Sequence, residues 1–170
     1  DRTMKAQIGI HTVQSQDRLN AISNSATELV IWQRSLPDQL QTWLRQLNTH
    51  QLPHARVLVK ASDIRRAMEF ELKHYDEGVK HINDLLVDDI EGLTLAFAEI
   101  TGDRMVDVRL ERVSDNACWK FHRDFVKTRL LTTYRGPSTE WVLPEYGEQA
   151  LRQQLQFKGP IESLAPHDVA

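Results

Sequence analysis

A single cysteine, Cys118, stands among 170 residues, which excludes an intrachain disulfide and a Cys-only zinc site within one chain. That scarcity fits a reducing compartment, and a cytoplasmic setting is expected. No apolar run approaches the roughly 20 residues needed to span a bilayer. Asp1-Arg2-Thr3-Met4-Lys5 leads into polar sequence instead of a signal core, so neither membrane insertion nor export is expected. Dense Lys/Arg blocks are lacking as well. With 21 basic and 24 acidic side chains and a formal net charge of −3, a partner gripped mainly through phosphates, nucleic acid above all, is not favoured. Repeats and low-complexity tracts are missing too. What is there is an ordinary apolar fraction of 41%. A chain of this length can bury roughly 70% of its unfolded surface, so one compact domain is the expectation.

Residues 1–26 are rich in Ser, Gln, Asn and Thr and read as a loosely ordered leader; residues 27–170 read as a single α+β domain. Leu29-Val30-Ile31-Trp32 is a short buried strand, closed by Ser35-Leu36-Pro37-Asp38, where Ser35 and Asp38 have capping-box spacing. Leu40, Trp43, Leu44 and Leu47 then line one helical face, ended by Pro53. Arg56–Lys60 is the next strand. Ile64, Met68, Leu72, Tyr75, Val79, Ile82, Leu86, Ile90, Leu93, Phe97 and Ile100 advance by threes and fours, a long helical hairpin or helix pair with its break at Gly78 and a weaker one at Gly92. At Met105 the period becomes two, with Val106, Val108 and Leu110 alternating with Asp107, Arg109 and Glu111. Short strands over 121–126, 129–134 and 140–142 follow, then a helix over about 145–155. A mainly helical part (27–103) is thus expected to pack on a mainly β part (104–170) of the double-stranded β-helix, cupin or jelly-roll type, cut short at its C-terminal end.

His122-Arg123-Asp124 carries the chemistry. On an extended strand, residues two apart project from one face about 7 Å apart along the backbone. His122 and Asp124 could therefore converge on one divalent ion as two arms of the 2-His-1-carboxylate triad, whose open positions admit substrate and oxygen. Arg129-Leu130-Leu131-Thr132-Thr133-Tyr134 follows. A dioxygenase using 2-oxoglutarate needs a cation and hydroxyls to hold the far carboxylate of that acid, and Arg129 and Tyr134 are the candidates for this cofactor. Strand parity places Arg129 and Tyr134 on opposite faces, so both point inward only with a bulge.

The stretch from Cys118 to Asp124, with Arg129 to Trp141, resembles the signature of a bacterial domain-of-unknown-function family, number eighteen twenty-six. Its pattern is a Cys, then Phe-His-x-Asp, then an Arg-Leu-rich strand ending Thr-Tyr-x-Gly-Pro-Gly-Thr-x-Trp. Ile31-Trp32-Gln33-Arg34-Ser35-Leu36-Pro37 is similar to its Trp-Gln-Arg-x-Leu-Pro segment, so the resemblance covers about residue 28 to the end. Ser138 replaces the usual Gly and Phe125 a commonly polar residue. The resemblance implies no activity. It implies a third metal ligand in a His-Arg-Ser-Pro motif that in members follows the segment resembling Asp168-Val169-Ala170. His-x-Asp, then Arg and Tyr, then a distal His also resembles iron- and 2-oxoglutarate-dependent dioxygenases, an analogy of spacing and fold.

The expectation is a metal-dependent oxygenase-like protein, with Fe(II) favoured over Zn(II), 2-oxoglutarate as cosubstrate, and a small-molecule or protein substrate. Two rivals stand beside it. Cys118, four residues before His122, could join a zinc site, although a buried small hydrophobe is the usual fate of a free cysteine. The helices of residues 62–100 could instead be a docking scaffold. His167, behind Pro166, is the weaker candidate for a third ligand. His74, Glu77, His81, Asp84 and Asp88 recur at helical spacing and could be drawn as a di-metal stripe, but read more simply as a solvated face.

Overall fold

The computed structural model describes residues 9–73, 80–112 and 126–170. Strand β1 (Ile10–Val13) pairs in parallel with β2 (Leu29–Trp32), joined by a 3-10 segment, Gln16–Ser23. Helix α1 (Asp38–Gln46) leads to β3 (Ala55–Lys60), α2 (Ile64–Leu72), α3 (Lys80–Thr101) and β4 (Met105–Leu110). The remainder holds β5 (Glu140–Trp141), α4 (Gly147–Gln153) and β6 (Glu162–Ser163).

Each long helix follows its apolar stripe. Leu40, Trp43 and Leu44 of α1 are buried against Ile64, Met68 and Leu72 of α2 and Leu86, Val87 and Ile90 of α3. No side chain caps α1, which begins behind Pro37, so the Ser35/Asp38 capping box does not form. At its other end the Arg135 guanidinium donates to the carbonyls of Leu44 (2.8 Å) and Leu47, groups a helix terminus leaves without intrahelical partners. Helix α3 runs through Gly92 unbroken and stops at Gly102, whose φ of +74° only glycine adopts readily; its N–H returns to Ala98.

The β3–β4 pair is antiparallel, with Val57 opposite Val108 and Val59 opposite Val106, and its inner side packs on the helical core. Arg56 and Arg109 face each other on the outer side, and the Asp107 carboxylate accepts from both at 3.2 and 3.1 Å. These two cations hold the Asp107 carboxyl below its usual range, Arg109 contributing more.

A second, smaller core joins Leu19, Val30, Leu93 and Val169. Here Val169 bridges antiparallel to both Trp32 and Thr132, so the last residues of the chain lie between β2 and the 131–132 segment. Helix α3 is the common wall of both cores.

Two expectations are corrected. The double-stranded β-helix is not there: the described residues form three separate two-stranded sheets and two isolated bridges at Val169, with no closed barrel among them. The alternation at Met105–Leu110 does mark a strand, but its partner is β3 of the helical half. Residues 129–134 contribute one bridge, at Thr132, and β5 is two residues long, bounded by the Gly136-Pro137 turn and by Pro144. Residues 10–23, read as leader, instead form β1 and the 3-10 segment, with Leu19 buried. The strand expected over 121–126 lies almost wholly outside the described residues, as does the Gly78 break.

Candidate functional site

The polar centre sits where the two cores meet on α3. Leu86, Ile90 and Leu93 are buried, and Asp89 occupies the same stripe, three residues after Leu86 and four before Leu93. From β2 the chain carries Arg34 towards it, and from the 131–132 segment it carries Thr132 and Tyr134.

Arg34, with a side chain 7% exposed, forms a bidentate pair with Asp89: Nη1 donates to Oδ1 and Nη2 to Oδ2, the latter at 3.0 Å. Its Nε donates to the His167 carbonyl at 2.7 Å, and Nη2 also reaches the Thr132 hydroxyl at 3.4 Å. The guanidinium lies over the Trp32 ring, 5.2 Å from its centroid. Tyr134 donates its hydroxyl to Asp89 Oδ2 at 2.6 Å, and Thr132 donates to the Asp168 carbonyl at 2.9 Å. Burial pushes the Tyr134 phenol well above its ordinary value, and the Asp89 charge adds to that. Tyr134 therefore stays a protonated donor to the Asp89 carboxylate.

His167 adopts a φ of +71°, a region that costs a non-glycine residue free energy and is kept only where surroundings enforce it. Arg34 and Thr132 on its carbonyl supply that constraint. Burial lowers the imidazole below its usual 6.5, partly opposed by a hydrogen bond to the Tyr134 backbone. The native protein thus binds this proton more weakly than the unfolded chain does. The contribution is fully present above about pH 6.5 and is lost as pH falls through the lower native value. Urea titrations between pH 8 and 5 should show a decline in stability that is smaller in His167→Gln; equal declines in both proteins would refute this source.

The structure brings together three stretches set apart in the sequence: Trp32-Gln33-Arg34, Thr132-Thr133-Tyr134 and Pro166-His167-Asp168. Arg34 and Asp89 received no role from sequence reasoning, although Asp89 sits in the apolar stripe and so signalled a buried charge. Of the sequence candidates, Tyr134 is committed to Asp89. Arg129 lies among the described residues. Cys118, His122, Asp124, His74 and Glu77 lie outside the described residues. Asp84 and Asp88 are exposed, and Asp88 pairs with Arg65, as a solvated face would. Among the described residues no group of three or more His, Cys, Asp or Glu could hold a metal ion. No helix among them is long and apolar enough to cross a membrane.

An α+β chain whose cores are tied by an Arg–Asp–Tyr centre, with its motif segments gathered around it, is the class that fold and site define. Residues 14–170 match the family model described as Protein of unknown function (DUF1826), and the chain belongs to that family. No curated protein and no solved structure matches it.

Proposed function

We propose that the chain binds one divalent metal ion through His122 and Asp124, iron in preference to zinc, in a cytoplasmic setting. The bound ion would supply a Lewis-acidic centre with open positions, the requirement for oxygenase chemistry on a small-molecule or protein substrate. The observation that carries this reading is the anchoring of the segment just downstream. Leu131 exchanges both backbone hydrogen bonds with Ala170, at 2.9 and 3.0 Å, while Thr132 and Tyr134 are held by Asp168 and Asp89. A metal site needs such rigid support for its ligands.

The cosubstrate part is narrower than the sequence implied. Tyr134 offers no free hydroxyl to a 2-oxoglutarate carboxylate, because its proton is held by Asp89. Arg34 is likewise engaged. The assignment of Arg129 rests on the sequence pattern, and without the β-helix the likeness to dioxygenases rests on spacing alone.

Anaerobic reconstitution with equal iron and zinc, followed by metal analysis, tests the reading against His122→Ala/Asp124→Ala. Near-stoichiometric iron is expected, lost in the double variant. Succinate release dependent on Asp124 would then support 2-oxoglutarate turnover. Zinc retained in the wild type and lost in Cys118→Ser would replace this reading with zinc storage, and no metal in either protein would refute it.

A further inference from the structure

On the outer side of the β3–β4 pair, alternation brings Arg56, Leu58 and Lys60 of β3 beside Met105, Asp107 and Arg109 of β4. Leu58 is 69% exposed and Met105 48%. Asp107 is the only carboxylate among these six and is shared by Arg56 and Arg109, while Lys60 makes no ion pair among the described residues. The face is therefore positive on a chain whose net charge is −3. Arginines directly opposite each other repel, so the sheet keeps this face at a cost.

Helix α3 presents the opposite pattern. Asp84, Asp88, Glu91, Leu95 and Glu99 recur at three- and four-residue spacing along its solvent side. Arg65 of α2 holds Asp88 and Glu91, and Asp84 and Glu99 make no ion pair among the described residues. Leu95, 45% exposed, stands within this acidic row, where a purely solvated face would carry a polar residue. The spacings also agree. Two residues along a strand span about 6.7 Å, and four along a helix about 6 Å. Arg56, Leu58 and Lys60 thus repeat base, aliphatic, base at nearly the interval at which Glu91, Leu95 and Glu99 repeat acid, aliphatic, acid.

We infer that the β3–β4 face docks the α3 stripe of a second copy of this chain, with Leu95 seated against Leu58 and Met105 and the carboxylates on either side of it meeting the cations of the sheet. The two surfaces differ, so the contact is head-to-tail and each copy offers one of each. Leu58 and Met105 offer no ring for a base to stack on, which sets a single-stranded nucleic acid aside as the occupant. The contact uses neither His122 nor Asp124 and stands without the metal reading.

Sedimentation velocity on the full chain over a concentration series is expected to show an average mass that rises with concentration at about 0.02 M NaCl and returns to the monomer at about 0.5 M, where exposed charges are screened. Leu58→Glu/Lys60→Glu leaves the bonds of Arg56 and Arg109 to Asp107 in place, and Leu95→Lys/Glu99→Lys changes only exposed positions. Each should weaken association at least about tenfold at low salt. Their equimolar mixture should associate again, because the reversed face meets the reversed stripe and the unaltered face meets the unaltered stripe. The salt response of the wild type decides the matter if a variant does not fold. A wild type that stays monomeric at low salt, association that salt or either variant leaves unchanged, or a mixture of folded variants that stays monomeric would overturn the proposal. Retention of a monomeric wild type on immobilised poly-L-glutamate would overturn it too, giving the face to a foreign acidic protein.

Discussion

Asp89→Ala is expected to lower the free energy of unfolding by about 3–5 kcal/mol, because it leaves a buried guanidinium without its counter-ion. Arg34 has a side chain 7% exposed and Asp89 one 18% exposed, so water replaces the lost carboxylate only in part. The same change strips the Tyr134 hydroxyl of its acceptor. Asp89→Asn should cost less, since one oxygen still accepts from Tyr134 while the charge match is lost. Arg34→Met/Asp89→Leu should recover part of the deficit, because removing both charges is cheaper than stranding one. Urea unfolding with a constant m-value measures all three. A loss below about 1 kcal/mol for Asp89→Ala would mean that the centre is well solvated and that its bonds add little.

The helices and the inner strands were legible because their signal is local. Spacings of three and four residues placed Leu40, Trp43, Leu44, Ile64, Met68, Leu72, Leu86 and Ile90 on buried faces, and all are buried. Alternation likewise identified Met105–Leu110 as a strand. Alternation names the buried face of a strand, however, and not its neighbour. That β4 returns after α2 and α3 to pair with β3 is a tertiary choice, and assigning it to a β-rich half produced a barrel that the described residues do not form. The early segment was missed for a related reason. Its buried residue, Leu19, lies among polar neighbours, and it is ordered by β2 and α3, elements that follow it. Arg34 lay in a recognised motif, but its role depends on a carboxylate on α3, a pairing no spacing encodes. Asp88 and Asp89 make the point sharply: adjacent, chemically identical, one exposed beside Arg65 and the other turned to the centre.

Val169→Asp should be the more damaging change and should leave the chain largely unfolded at 37 °C. Val169 is 0% exposed and packs with Leu19, Val30 and Leu93. Its backbone is paired with Trp32 in both directions, at 2.7 and 3.0 Å, and the next residue is paired with Leu131. The main chain therefore cannot rotate the new carboxylate out to water without breaking the bonds that join β2 to the 131–132 segment. A cost above about 4 kcal/mol follows from burying an unpaired charge, against a typical total stability of 5–15 kcal/mol. Val169→Thr conserves shape and adds an unpaired hydroxyl, so about 1–3 kcal/mol is expected there. The pH dependence separates charge from shape. A carboxyl buried in this position has a folded-state pKa raised above its unfolded value, so the Asp variant gains stability relative to wild type as pH falls below that raised value, whereas the Thr variant does not. Thermal melts at pH 7 and pH 5 supply the comparison, and a deficit in Val169→Asp that is the same at both would show that the residue swings into solvent and that the strand between β2 and Thr132 is looser than its hydrogen bonds imply.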